Sequence, residues 1–176
     1  MQQKKEVKIK KTWFARIKSL FVYFLLFLVL GWGVDLWRAH SMVSGKAPEL
    51  ITMSVQNKQI DLLAMSQEKP VLVYFWATWC SVCSVVSPSV DFVDGGTQVI
   101  TVALNSGNNK RIQQYLHAKK YDFSVINDPK GTIAQEWGIT VTPTLFVINK
   151  GEISAVTTGF TSPFGMWVRL FFSKFS

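Results

Sequence analysis

The chain has 176 residues, 48% of them hydrophobic, and a formal net charge of +8. That length holds one domain plus an appendage. Seven of the Lys and Arg residues fall in the first 18 positions, against one acidic residue, Glu6. From Ala47 onward, ten basic residues face nine acidic ones, a net of +1. The basic excess is therefore a tail rather than a surface, and a phosphate-binding or nucleic-acid role has no support.

In chain order, the tail of residues 1–18 is followed by "SLFVYFLLFLVLGWGV", Ser19 to Val34, which carries no charge. With its flanks it is long enough to span a bilayer, so residues 19–37 are expected to form a transmembrane anchor. Trp13, Trp32 and Trp37 suit the two interfaces, and Arg16 and Lys18 can reach the headgroups. A core helix would seldom be apolar all round behind so basic a tail. A cleaved signal peptide is the stronger rival, but "WGVDLWRAH" is bulky and charged and offers no clean small-residue site. The basic residues precede the span, so the N-terminus is expected to stay in the cytoplasm and the remainder to be exported. For a bacterial chain this means a single pass through the inner membrane, with the domain in the periplasm. Residues 38–49, with Gly45 and Pro48, read as a linker, and residues 50–176 as one domain.

The domain alternates strand and helix patterns. "LITMSV" and "KQIDL" suit a hairpin around Asn57. "PVLVYFW", Pro70 to Trp76, is a continuous β-branched and aromatic run, as expected of a strand buried on both faces. A helix is expected to start at the cysteines that follow. "QVITVAL", Gln98 to Leu104, reads as a second buried strand, and "NNKRIQQYLHAKK" as a helix with Ile112, Tyr115 and Leu116 on one face. "DPKGTIAQEWG" reads as a turn and short helix stopped by Gly138. "PTLFVIN" and "ISAVTTG" pair around "KGE", and a last helix opens with Ser162 as cap and Pro163 in its first turn. This order predicts an α/β domain with a mixed sheet flanked by helices.

Cys80 and Cys83 are the only cysteines, two residues apart. As a staple the pair is poor, because so short a loop removes little chain entropy. As half of a zinc site it lacks partners: the two histidines, His40 and His117, lie in the linker and in another helix. As a redox pair it is well placed. Cys80 opens a helix, where unpaired N–H groups and the helix dipole favour a thiolate. Cys83, one turn on, can reach Cys80 while shielded from solvent. No cofactor or resident metal is expected.

"FWATWCSVC" after a buried strand resembles the active site of the thioredoxin superfamily. Together with "PVLVYFWATWC", "NDPKGTIAQEWGITVTPTLFVINKGEI", the apolar N-terminal run and the terminal helix, the chain resembles the membrane-anchored TlpA/ResA-like proteins over roughly residues 47–172. Within these it is most similar to the suppressor-of-copper-sensitivity D (ScsD) type of disulfide oxidoreductase. The resemblance implies a thioredoxin fold with a leading hairpin. It implies a cis-proline at Pro143, opposite the cysteines, and pairing of substrate with the backbone of Thr142. Trp79 is expected to shield Cys80 and border the substrate, Pro88 to kink the first helix, and Trp76 to lie in the core. Pro143 lies 60 positions after Cys83, which leaves room for an extra strand and helix. The expected partners are thiols and disulfides of exported proteins and a membrane electron-transfer protein.

The pattern departs from the family in three places. The position six before the first cysteine, an Asp in thioredoxins, is Tyr74; a Glu of ResA-like reductases is replaced by Val86; and Ser84, rather than Lys or Arg, follows the pair. Both proton acceptors expected for Cys83 are therefore missing. Two further classes could use the same residues. A copper-delivery protein would hold Cu(I) on the thiols but would need a third ligand nearby. A thiol peroxidase would need a T-x-x-C pattern, whereas Thr78 stands two before Cys80.

Overall fold

The computed structural model describes residues 44–173, together with Val22, Tyr23, Leu25 and Leu26 of the N-terminal apolar run. Those four are helical and exposed. The rest of the expected anchor, the basic tail and His40 lie outside the described residues. Among the described residues no helix is long and apolar enough to cross a membrane.

Two antiparallel strands lead, β1 (Ile51–Met53) and β2 (Gln59–Asp61). They are turned by Asn57 at φ 60°, as the sequence predicts. The main sheet has the order β5-β4-β3-β6-β7. At its centre β3 (Val71–Trp76) runs parallel to β4 (Gln98–Leu104) and antiparallel to β6 (Thr144–Asn149). Beyond these lie β5 (Ser124–Asp128), parallel to β4, and β7 (Glu152–Thr158), antiparallel to β6.

All six side chains of β3 are buried. Leu72, Tyr74 and Trp76 point to one layer, and Val71, Val73 and Phe75 to the other. This is why the strand reads as an unbroken apolar run rather than an alternating one. The first layer is closed by α2 (Ser81–Asp94), α3 (Asn109–Lys119) and α5 (Pro163–Ser173), which contribute Val86, Val90, Ile112, Leu116, Met166 and Leu170. The second is closed by α1 (Leu62–Glu68), α4 (Thr132–Glu136) and the leading hairpin. Its centre is an aromatic cluster of Phe75, Phe146 and Trp137, with ring centroids 5.0–5.8 Å apart.

Local signals hold at most element ends. Asn108 accepts from Arg111 N–H at 2.9 Å to start α3, and Ser162 Oγ accepts from Gly165 N–H at 3.2 Å at the start of α5. Lys150 and Gly151, at φ 52° and 79°, form the tight β6–β7 turn. Pro88 sits inside α2 without ending it.

Two elements go beyond the sequence reading. β5 carries only two adjacent apolar side chains, Val125 and Ile126, too few for a periodic signal; pairing makes it a strand. Its outer edge is covered by the leading hairpin: Val55 N–H donates to the Val125 carbonyl at 2.7 Å, and Val125 N–H to Gln56 Oε1 at 3.1 Å. The other is α1, seven residues capped by Asp61, whose Oδ1 accepts from Ala64 N–H at 2.9 Å. The second half of the expected linker is also held. Gly45 O accepts from Ile153 N–H at 2.7 Å, and Ala47 N–H donates to Gly151 O at 2.9 Å.

Asp128 closes the turn into α4. Its Oδ2 accepts from Ala134 N–H at 2.9 Å and its Oδ1 from the Thr132 hydroxyl at 3.3 Å, in a buried setting. Replacing Asp128 with Ala leaves a buried N–H unpaired. It is expected to lower unfolding free energy by about 1–3 kcal/mol in urea titrations, with the folded spectrum retained.

Candidate active site

The site forms where β3 ends. Trp76 is the last strand residue, fully buried, with its indole N–H donating to Thr101 Oγ1 at 3.1 Å. Ala77, Thr78 and Trp79 then turn the chain out of the sheet and into α2. Two contacts from the loop after β4 hold that turn. Thr78 N–H donates to Ser106 Oγ at 3.0 Å, and Ser106 in turn donates to Leu104 O at 2.9 Å. The Trp79 indole N–H donates to Asn105 O at 3.2 Å while the side chain stays 64% exposed. Ser106 and Asn105 escaped the sequence reading because they are polar loop residues more than 25 positions away; nothing local marks them.

Cys80 caps α2. Its Sγ accepts from Cys83 N–H at 3.1 Å, so the first turn of the helix points a donor at this sulfur. The two cysteines form a disulfide, with Cα atoms 5.2 Å apart. Cys80 is half-buried, whereas Cys83 is 1% exposed and packs in the core layer with Val86 and Val90. The structure is thus the oxidised form, with one sulfur approachable and one covered.

Across from the pair, β6 begins at a cis Thr142–Pro143 bond, the conformation implied by the resemblance. The Thr142 carbonyl lies 3.7 Å from Cys80 Sγ. In the disulfide this sulfur carries no proton, so the approach is a contact; a reduced Cys80 thiol could donate there. Pro143 is buried, and its carbonyl accepts from Gly159 N–H at 2.8 Å, which pins the segment to the end of β7. Cys80, Cys83, Thr142 and Pro143 therefore converge. Trp79 flanks them and is tied to the β4–α3 loop.

Tyr74 answers for the missing carboxylate. It is fully buried behind Cys83, with its hydroxyl 3.1 Å from Ser87 Oγ and donating to the Cys83 carbonyl at 3.4 Å. Burial drives its ionisation well above the ordinary tyrosine value, only partly opposed by the Ser87 hydrogen bond. A neutral hydroxyl pair thus occupies the space behind Cys83. Val86 is fully buried in the same layer, and Ser84 faces solvent, its hydroxyl donating to Ser81 O at 2.6 Å.

Comparison with known proteins agrees with this architecture. Residues 43–156 match the AhpC/TSA family. A "Thioredoxin-like protein" of Haemophilus influenzae is 39% identical over 170 residues, covering 96% of this chain and 99% of that one. "Thiol-disulfide oxidoreductase ResA" of Bacillus subtilis is 27% identical over 148 residues, 77% of this chain and 81% of that one. Among solved structures, StoA from Bacillus subtilis superposes with a TM-score of 0.61 at 23% identity, over 68% of this chain and 94% of that one. The sheet order, the cysteine pair at a helix start and the facing cis-proline are those of the thioredoxin fold. The chain belongs to the AhpC/TSA family and is a thioredoxin-like protein disulfide oxidoreductase.

Proposed function

We propose that the chain is a membrane-anchored thiol–disulfide oxidoreductase of the ScsD type. In this reading it faces the periplasm from the inner membrane and works on exported proteins as a reductase. The observation that carries the chemistry is the asymmetry of the pair: Cys80 is approachable and receives a helix N–H, whereas Cys83 is covered. The anchor is supported by the uncharged run after a basic tail. The reducing direction is supported by the Ser81–Val82 dipeptide, which offers the Cys80 thiolate no charge or imidazole and so stabilises it modestly.

The cycle begins with the reduced pair. The Cys80 thiolate attacks one sulfur of a substrate disulfide; that S–S bond breaks, a mixed disulfide forms, and the first substrate thiolate leaves. The Cys83 thiol loses its proton to that departing thiolate or to water, and its sulfur attacks Cys80. The mixed disulfide breaks, the second substrate thiol is released, and the Cys80–Cys83 disulfide seen here is formed. Two electrons have passed to the substrate. A dithiol donor in the membrane must return them, and the anchor keeps the domain near such a donor. Thr142 borders the attacked sulfur and presents backbone to an extended substrate chain, as strand addition requires.

Tyr74 takes no proton in this scheme, because burial keeps it neutral. Tyr74→Phe is therefore expected to keep insulin-reduction activity and its pH profile within about twofold. It should lose about 1–2 kcal/mol of stability through the unpaired Ser87 hydroxyl. A collapse of activity at unchanged stability would make Tyr74 the proton acceptor.

Single-cysteine variants test the roles of the sulfurs. Cys83→Ala should accumulate mixed disulfides through Cys80 on non-reducing gels, and Cys80→Ala should collect none. The reverse pattern would exchange nucleophile and resolver.

Topology is tested separately. Alkaline phosphatase fused after Ser176 should be active, and the mature protein should keep its N-terminal tail. Recovery of a soluble exported form beginning near Asp35 would replace the anchor with a cleaved signal.

A further inference from the structure

At the end of the domain away from the cysteines, a strongly apolar face is left outside the core. β3 runs from Val71, beside Gln98 and Ile148, to Trp76, after which the cysteines follow. Six residues at about 3.3 Å each separate the two ends by roughly 20 Å. Near the Val71 end, Phe92, Phe164 and Trp167 are 77%, 73% and 55% exposed. With Val93, Gly96 and Pro163 they line an open groove of ≈ 590 Å³. A second groove of ≈ 190 Å³ shares Gly96 and Trp167 and reaches Lys69 and Pro70. The inward face of α5, Met166 and Leu170, is buried, so this helix is apolar on both sides. Its one charged residue is Arg169. A contiguous exposed apolar face of this kind marks an interaction surface rather than scattered surface hydrophobics.

The path of the chain says what covers it. Gly45 is hydrogen-bonded to Ile153, and Lys46 bridges to Glu152, so the domain begins at the β6–β7 turn. α5 ends at the same place, where the Asn149 side-chain N–H donates to Ser173 O at 2.7 Å. Only residues 38–43 separate the described domain from Trp37, the end of the run read as the anchor. Fully extended, the seven steps from Trp37 to residue 44 span at most about 25 Å. The chain therefore enters the domain at its aromatic end rather than its cysteine end, and in the anchored reading the bilayer lies at the other end of that tether. The composition suits that neighbour: Trp and Phe settle at the headgroup–acyl boundary, and an Arg stem lies along apolar surface while its head reaches phosphate.

We propose that Phe92, Phe164 and Trp167 seat the domain on the lipid surface of the membrane that anchors it, with the cysteine pair turned away from the bilayer. The proposal rests on the anchored reading above and adds an orientation to it. It leaves Cys80 facing the soluble space, open to exported proteins, roughly the length of β3 beyond the lipid-facing end.

The test uses the full chain in phosphatidylcholine–phosphatidylglycerol vesicles whose acyl chains carry bromine, a short-range quencher of tryptophan. Emission of one tryptophan is the difference between wild type and its Phe variant, Trp167→Phe, Trp79→Phe or Trp32→Phe. These are conservative changes, checked by near-ultraviolet circular dichroism. Trp167 emission should fall by about twofold or more on bromination, while Trp79 emission stays unchanged. Quenching of Trp32 without Trp167 would overturn the docked orientation and leave the anchor standing. Trp167 unquenched by bromine but shielded from aqueous acrylamide would mean that a protein, a second copy included, covers the face, and would overturn the lipid assignment. Equal quenching of Trp79 and Trp167 would overturn the orientation. Failure of the chain to float with the vesicles would overturn the anchor and the docking together.

Discussion

Burial of β3 on both faces is the constraint on which the rest of the structure depends. Six consecutive side chains leave water, each contributing about 1.5–3 kcal/mol gross. The sum is comparable to the whole net stability of an ordinary domain. A strand so placed must be covered by layers above and below. It must also release the chain at one end of the sheet, where no further strand pairing holds it. Cys80 stands four residues past that end and starts the helix that covers one face. The Cys80 sulfur is therefore positioned by the same interaction that builds the core, and a disulfide closing so short a loop removes little chain entropy.

Around this frame, the site assigns distinct environments to two chemically identical side chains. Cys80 is the cap of α2, with a backbone N–H directed at its sulfur and the Thr142 carbonyl beside it. Cys83 is one turn further in, beneath the helix and against the core. Exchange chemistry needs this inequality, because the attacking thiol must meet a protein substrate and the resolving thiol must not. The buried space behind Cys83 holds Tyr74 and Ser87, which satisfy each other. A carboxylate there would bring a burial cost and a titration near neutrality; two hydroxyls bring neither. Neither hydroxyl offers a base to the Cys83 thiol.

The two ends of the sheet have different surfaces. At the cysteine end, polar loop residues Asn105 and Ser106 steady the turn that leads into α2. At the other end, the start of the domain and the end of α5 meet around the β6–β7 turn, beside exposed aromatic side chains. In the anchored reading proposed above, the surface near the tether and the surface that performs exchange need not compete.

Much of this was legible in the residues alone, wherever the signal is local. The apolar run Val71–Trp76, the cysteines one turn apart, the caps Asn108 and Ser162, and the turn at Lys150–Gly151 each follow from a handful of neighbouring positions, because strand and helix periods and φ preferences act over that range. Motif resemblance then pointed to Pro143. What tertiary structure alone decided lies between residues far apart in the chain. β5 is a strand because β4 and the leading hairpin satisfy both of its edges, though its own residues carry almost no pattern. Tyr74, read in the sequence as a missing acid, proved to be half of a hydroxyl pair with a residue 13 positions away. Thr142 meets Cys80 across 62 positions, and Ser106 holds Thr78 across 28. Local periodicity carries no record of such contacts, since they exist only once packing has brought separate segments to van der Waals distance.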